Sequence, residues 1–289
     1  MSARREGFEN RGPFLVPVGT EKVPAHPESR ELVYNRIIIR IIKTVLRAQS
    51  LQISVTGSEN VPAEGGALLA SNHTNYYDFI LGQVPAHLRG KRLTRFMAKK
   101  EIFDVPVVGA LMRAMHHVSV DRSAGHGSIE DAVEHLKAGE LVGIYPEATI
   151  SRSFELKEFK TGAVRIAAAA GVPVVPMVTW GGQRIWTKDL PKNLGRSRIP
   201  VVIRVGEPMD PTGDPEEATA RLRQKMSELL DAARADYEAD YGPFEDGAPW
   251  LPVSLGGSAP TPEQALEIDR RERAERKARK EAKAKKKGN

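Results

Sequence analysis

A histidine and an aspartate with four residues between them are the part of this sequence best suited to catalysis. His73 and Asp78 lie in the segment NHTNYYD, residues 72–78. Imidazole titrates near pH 6.5, so a histidine oriented by a carboxylate can take a proton from an alcohol close to neutral pH. The segment contains no serine or cysteine that could be acylated. The pair therefore predicts a general base that acts on a substrate hydroxyl, rather than a nucleophilic hydrolase.

The residues before this pair predict how it is positioned. Two glycines at 65–66 are followed by the apolar run 67–70, which is typical of a short buried strand. The His/Asp segment starts where that strand ends, and catalytic groups of open α/β sheets lie at this edge. A separation of five positions does not place two side chains on one face of a helix. If His73 contacts Asp78, the chain must turn between them.

Charged and polar residues also follow later predicted strands. The segments are VSVDR at 118–122, YPEATISR at 145–152 and FKTG at 159–162, the last of which opens a predicted helix. Backbone N–H groups at a helix N-terminus and a nearby lysine favour an anion. Cations that recur at successive strand ends predict a cleft for a phosphate-bearing substrate.

Composition narrows the class of protein. The chain has 289 residues, 40% hydrophobic and 28% charged, which is typical of a soluble globular protein. It has no cysteine, which excludes disulfides, thiol nucleophiles and cysteine-ligated metal. The net charge is +6, but residues 263–289 alone carry eleven Lys or Arg and six Asp or Glu. Most of the basicity therefore belongs to the tail, which disfavours a nucleic-acid-binding domain. No segment resembles a signal peptide or a transmembrane helix, so we expect membrane contact to be peripheral.

The N-terminal region, residues 1–50, is predicted to be irregular at first and then to form an amphipathic helix over 31–50. That helix carries a basic stripe among isoleucines, formed by Arg36, Arg40, Lys43 and Arg47. The pattern is typical of a helix that lies in a membrane interface with its cations among the head groups. A helix packed on its own domain with a solvated basic edge explains the segment equally well.

Residues 51–241 alternate between short apolar runs and helical patterns, which predicts one α/β domain with a central, largely parallel sheet flanked by helices. Strands are expected at 51–55, 67–70, 95–98, 118–120, 141–145, 172–178 and 200–205. Helices are expected at 105–115, 128–138, 161–170 and 216–241. Residues 242–262, rich in Gly, Pro and Ser, predict a linker or surface wrap, and residues 263–289 a disordered tail or frayed helix.

The order of NHTNYYD, VSVDR, YPEATIS and VPVVPMV resembles the four motifs of the glycerolipid acyltransferases. The specific resemblance is to the 1-acylglycerol-3-phosphate acyltransferase family, and it covers about residues 51–208. The segments MAKKE at 97–101 and FKTG at 159–162 are also similar to that family. Four motifs in the same order are far more specific than one. The resemblance implies the α/β fold of that family.

The resemblance also implies a mechanism. His73, held by Asp78, would take the proton of a lyso-lipid hydroxyl, which attacks the thioester carbonyl of acyl-coenzyme A or acyl-carrier protein. No metal or other cofactor is expected. The positions that would bind the acceptor, with added cations, are Lys100, Arg122, Glu147, Thr149 and Lys160.

The third motif departs from the family. Ala148 and Ile150 stand where glycine and arginine are usual, and an isoleucine cannot bind phosphate. Either Arg152 supplies the missing cation, or the acceptor has a different head group. Ala148 predicts a slightly different backbone at this turn.

The expected function is acylation of 1-acylglycerol-3-phosphate to phosphatidic acid, on the cytoplasmic face of the cell membrane and in contact with anionic lipid. The first alternative is another lyso-phospholipid or glycolipid acceptor. A lipid-binding module without turnover is disfavoured by the intact His73 and Asp78. A thioesterase would release coenzyme A without any acceptor. No nucleic-acid partner is expected.

Overall fold

The computed structural model describes residues 6–121 and 127–287, whose strands form one nine-stranded sheet. In chain order the strands are β1 Phe8–Arg11, β2 Phe14–Pro17, β3 Gln52–Thr56, β4 Ala67–Ser71, β5 Thr94–Lys99, β6 Val118–Val120, β7 Leu141–Ile144, β8 Val174–Trp180 and β9 Pro200–Val205. Their order across the sheet is β1-β2-β3-β9-β8-β4-β7-β5-β6. Only the β1–β2 and β8–β9 pairings of these strands are antiparallel. The predicted largely parallel α/β sheet is confirmed.

Helices cover both faces of the sheet. They are α1 Ile39–Ala48, α2 Asp78–Leu88, α3 Lys100–Phe103, α4 Pro106–Ala114, α5 Gly127–Lys137, α6 Gly162–Ala170, α7 Pro215–Tyr241 and α8 Pro262–Lys287. One hydrophobic core joins α1 and α2 to the sheet, and a second joins α5, α6 and α7 to its other face. Every residue of β4 is buried, because this strand lies in the middle of the sheet between β8 and β7. The ends of β4 and β7 thus meet at one edge, as the site requires.

The N-terminal residues differ from the prediction of irregular structure. β1 and β2 form a hairpin around Gly12, whose φ of +68° lies in the left-handed region. β2 then pairs with β3, and its alternate residues Phe14 and Val16 are buried. The prediction was wrong for these residues because four-residue strands are too short to show a period among so many glycines and prolines.

The helix before β3 packs on the domain, and its predicted place in a membrane interface stays a prediction. A π-helical stretch, Leu32–Ile38, leads into α1. Ile39 and Leu46 are buried against the domain, so the helix packs on its own protein. Its outer side exposes three apolar and three basic side chains, namely Ile37, Ile41, Val45, Arg36, Arg40 and Arg47. Within residues 6–121 and 127–287, no helix is both long and apolar enough to cross a membrane.

The C-terminal residues are more ordered than the sequence predicts. Between α7 and α8 the chain wraps the domain, with Ala248, Leu251 and Ala259 buried. The basic tail forms α8, and its first two turns dock through the buried Ala265 and Asp269. The tail therefore begins on the domain surface rather than in solvent.

Candidate active site

The His/Asp pair lies where β4 passes into α2. β4 ends at Ser71 and α2 begins at Asp78, so the turn expected between the two side chains is present. His73 Nδ1 lies 2.9 Å from Asp78 Oδ2. That oxygen also accepts the backbone N–H groups of Thr74 at 2.7 Å and Asn75 at 2.9 Å. The backbone of the turn thus fixes the Asp78 carboxylate, and the carboxylate orients the His73 imidazole.

This contact decides which ring nitrogen can act. An ionised carboxylate only accepts hydrogen bonds, so the proton of a neutral His73 is on Nδ1 and the lone pair is on Nε2. The His73 side chain is 22% exposed while that of Asp78 is 1% exposed. The Tyr145 ring stacks on the imidazole with centroids 4.4 Å apart. A substrate can therefore reach the oriented imidazole of His73, whereas solvent cannot reach the carboxylate of Asp78 that holds it.

Hydrogen bonds with β8 and with the segments that follow β7 and β8 hold the turn around His73. The Asn72 amide exchanges two hydrogen bonds with the backbone of Thr179 in β8, at 3.0 and 2.8 Å. The Ser151 N–H, beyond β7, donates to the His73 carbonyl at 2.7 Å. Thr187 Oγ1 donates to the Thr74 carbonyl at 2.6 Å. The position of the base is thus set by residues from the second half of the domain.

Glu147 lies beneath the catalytic turn and is buried. Its Oε1 accepts the His73 N–H at 2.8 Å, and its Oε2 accepts the Lys157 N–H at 3.1 Å. Burial raises the pKa of Glu147 to about 8, although both N–H donors act in the opposite direction. In this structure Glu147 joins two loops, and its predicted contact with substrate stays a prediction.

Arg152, predicted as a substitute phosphate cation, has three carboxylate partners. It is buried and donates to Asp189, Asp269 and Glu272. Asp269 of α8 also accepts from Lys157 at 2.6 Å and from Lys188 at 3.4 Å. We call these residues the C-terminal ion cluster: Arg152, Lys157, Lys188, Asp189, Asp269 and Glu272. With its charge matched in this way, Arg152 is engaged by the protein itself, and its role in substrate binding stays a prediction.

Three further predicted residues, Lys100, Thr149 and Lys160, lie at the same edge of the sheet. Thr149 Oγ1 accepts from Lys157 Nζ at 2.8 Å, which links it to the C-terminal ion cluster. Lys100 follows β5 and forms an exposed ion pair with Asp121 at 2.8 Å. Lys160 is exposed just before α6. Arg122 lies outside the described residues. Among the residues that the structure describes, no three His, Asp or Glu side chains are placed to hold a metal ion.

Comparison with known proteins agrees with this geometry. A family model described as Acyltransferase matches residues 52–180. A 1-acyl-sn-glycerol-3-phosphate acyltransferase of Bacillus subtilis is 32% identical over 164 residues, which are 54% of this chain and 73% of that protein. The chain belongs to the 1-acyl-sn-glycerol-3-phosphate acyltransferase family.

Other members of the family match less of their own length. The proteins of the same name from Limnanthes douglasii and Escherichia coli are 33% and 31% identical, and the chain spans about half of each, 50% and 52%. The crystal structure of the acyltransferase PlsC from Thermotoga maritima matches with a TM-score of 0.53 and 24% identity, over 68% of this chain and 81% of that one. That likeness supports the fold.

The family motif with the unusual residues has a glycine-like backbone. Ala148 has a φ of +61°, in the left-handed region that glycine favours, so the turn keeps a conformation suited to glycine with an alanine in place. Whether this turn differs from that of other family members stays a prediction. Ile150 is buried and 5% exposed, as expected for a residue that binds no phosphate.

Lys157, Lys188 and Asp269 were missed in the sequence. Lys157 is only five residues beyond Arg152, so its position in the same loop could have indicated a role. Lys188 and Asp269 lie beyond the matched residues 52–180, and Asp269 belongs to a tail whose composition indicates solvent exposure. Their contacts depend on how α8 docks, which no local pattern encodes.

Proposed function

We propose that this protein transfers a fatty acyl group from an acyl thioester to the free hydroxyl of 1-acylglycerol-3-phosphate, giving phosphatidic acid. The observation that carries the proposal is the His73–Asp78 pair, with Nδ1 2.9 Å from the carboxylate and the imidazole partly exposed. The similar proteins from Bacillus subtilis and Escherichia coli carry the name of this reaction. The acyl donor is acyl-coenzyme A or acyl-carrier protein.

The reaction needs one base and one leaving thiol. His73 Nε2 takes the proton of the acceptor hydroxyl as its oxygen attacks the thioester carbonyl. The tetrahedral intermediate collapses, the carbon–sulfur bond breaks, and the imidazolium returns the proton to the leaving thiolate. Asp78 stabilises the imidazolium while it exists. The scheme uses no metal and no other cofactor.

Purified protein incubated with labelled palmitoyl-coenzyme A and a panel of lyso-lipids tests this proposal, with products identified by mass spectrometry. Phosphatidic acid should form, and His73→Ala should lower its rate roughly 10²- to 10⁴-fold. His116→Asn is the matched control, because His116 is exposed with a φ of +55° that asparagine tolerates. Coenzyme A release without an acceptor would instead indicate a thioesterase. Lipid binding without turnover would indicate a binding module.

A second acceptor class is favoured by the third motif. Ile150 cannot bind phosphate and Arg152 is held by three carboxylates, so the phosphate of the acceptor would rest on Lys100, Arg122 and Lys160. Another lyso-phospholipid or a glycolipid would need fewer cations. Arg152→Ala separates the two cases. It should raise the acceptor KM about tenfold, with the donor KM unchanged, if Arg152 turns to the phosphate when substrate binds.

The proposed location is the cytoplasmic face of the cell membrane, with the protein bound peripherally to anionic lipid. The exposed apolar residues of α1 lie among cations, and α4 exposes Val107 and Val108 on the same layer of helices. Charge reversal of Arg36, Arg40 and Arg47 should release the protein from anionic vesicles, since each cation near such a surface contributes about 1 kcal/mol.

Deletion of residues 270–289 should weaken binding and make it more sensitive to salt. If the charge-reversed variant still sedimented with the vesicles, α1 would be a helix that packs on its own domain and does not bind the membrane.

A further inference from the structure

A cationic surface lies at the opposite end of α2 from Asp78. Two neighbouring cavities, of about 490 and 470 Å³, both have Lys43, His87 and Lys91 in their walls. We call them together the basic basin. Its cations are Arg11, Lys22, Arg30, Arg36, Arg40, Lys43 and Lys91. Of the described residues, no Asp or Glu lines either cavity.

The charges of the basic basin are almost unmatched. Within the described ranges, Arg11 is the one basin cation with a carboxylate partner, Glu9 at 3.1 Å. Lys43 is partly buried, and its pKa is lowered by burial and by the charges of Arg47 and Lys91. Like charges that crowd a cavity without counter-ions raise the energy of the folded protein. An anion in the basic basin would remove that cost.

A neutral imidazole, that of His87, lies among these cations. Its Nε2 lies 3.3 Å from Lys43 Nζ, and because an ammonium only donates, Nε2 accepts. Burial and the charges of Lys43 and Lys91 lower the pKa of His87 to about 4, so at neutral pH its single proton is on Nδ1. Nδ1 is buried and has no hydrogen-bond partner among the described residues. A buried N–H without an acceptor is unfavourable, so this imidazole adds to the energetic cost of the basin rather than relieving it.

The position of the basic basin indicates the source of the anion. Arg36 and Arg40 line a cavity and also lie on the exposed side of the π-helical stretch and α1, with Ile37 and Ile41. A lipid whose chains rest near these isoleucines would place its head group at the basin. α2 has eleven residues. At a rise of about 1.5 Å per residue it separates the basin from the catalytic turn by roughly 16 Å. An anion held here is therefore not the acceptor whose hydroxyl His73 would deprotonate.

We infer that the basic basin binds the phosphate of an anionic lipid head group, at a site separate from the catalytic centre, and so fixes α1 on the membrane. A phosphomonoester carries up to two negative charges and suits this density of cations better than a phosphodiester. The inference needs no assumption about the acyl transfer reaction, so the two can fail independently.

A double variant outside α1 tests the basin without altering the α1 stripe. Lys22→Gln with Lys91→Asn removes two exposed cations, and asparagine tolerates the φ of +59° at Lys91. Binding to phosphatidylcholine vesicles that contain phosphatidic acid should weaken roughly tenfold or more. Vesicles in which phosphatidylglycerol supplies the same total negative charge are the comparison. Binding to these vesicles should change less. The control is Arg221→Gln with Lys225→Gln on α7, on the other face of the sheet, which should bind like the unchanged protein.

The imidazole of His87 reports occupancy directly. Short-chain phosphatidic acid should shift the ring resonances of His87 and raise its pKa, since a nearby anion favours the protonated form. Inorganic phosphate, the second arm, should do so only at much higher concentration. Equal affinity for both would overturn the assignment to a lipid head group. Resonances that neither ligand moves, or equal vesicle binding by the double variant and its control, would overturn the basin as an anion site. Thermal unfolding checks that each variant folds.

Discussion

The two ends of α2 each hold a histidine, and the partners of these histidines have opposite charge. At the start of the helix, His73 contacts the carboxylate of Asp78. At its last turn, His87 contacts the ammonium of Lys43. The first imidazole can become charged with its partner's help and therefore suits a base. The second is kept neutral and leaves a buried donor unmatched. For His87, burial lowers the pKa most, and the positive charges of Lys43 and Lys91 act in the same direction.

The largest effect should come from the first end. Asp78→Asn keeps the shape of the side chain but removes the charge that stabilises the imidazolium and allows the wrong tautomer. We expect kcat to fall roughly 10²- to 10⁴-fold. Asp231→Asn, an exposed position on α7, is the control. A variant in which only KM changed would show that the carboxylate does not act through His73.

The second end should make the protein sensitive to acid. The folded pKa of His87 is about 4 and that of His117 about 3, because burial and nearby cations disfavour both imidazolium ions. Below about pH 6.5 the unfolded chain binds these protons and the folded chain does not, so stability falls as the pH drops towards 4. For His87 alone the loss should reach roughly 3 kcal/mol. The free energy of unfolding, measured with denaturant at several pH values in this range, should depend less steeply on pH in His87→Gln than in the unchanged protein. An identical dependence on pH in the two proteins would exclude His87 as the cause.

The comparison can also be inverted by one substitution. Lys43→Glu gives His87 a carboxylate neighbour like that of His73. The pKa of His87 should then rise from about 4 to above about 6, because the new charge favours the imidazolium. A pH titration followed by NMR measures it, with Lys225→Glu as the distant control. If the pKa stayed low, burial alone would account for it.

The C-terminal ion cluster differs from the surroundings of His87 in its charge balance. Its three cations lie beside three carboxylates. Asp269→Asn keeps the shape but leaves Arg152, Lys157 and Lys188 with less opposing charge. We expect a loss of about 1 to 2 kcal/mol in the free energy of unfolding. Glu267→Gln, at an exposed position two residues earlier on α8, should change the free energy of unfolding little. Equal stability of both variants would mean that the cluster does not hold α8.

Much of the sheet could be predicted because its strands are buried on both sides. Val118–Val120 and Pro200–Val205 have the bounds that their apolar runs indicate. The hairpin of β1 and β2 and the antiparallel pairing of β9 with β8 could not be predicted. A short apolar run indicates a strand but does not indicate which strand it pairs with.

The same limit applies to the site. The residue types of His73 and Asp78 suggested their contact, and the spacing of five positions required a turn if the contact was made. The contacts of Glu147 with the His73 N–H, and of Arg152 with Asp269, join residues 74 and 117 positions apart. Such contacts depend on how the whole domain packs, so residue type could suggest that these side chains were functional but could not state their partners.

The docking of α8 has a consequence for biosynthesis. Arg152 lies in the loop that supports the catalytic turn, and two of its counter-ions, Asp269 and Glu272, lie more than one hundred positions later in the chain. Because a chain is made from its N-terminus, this loop cannot take its final arrangement until Asp269 and Glu272 have been synthesised. A product that stops before Asp269 would contain every family motif and still lack the carboxylates that hold the loop.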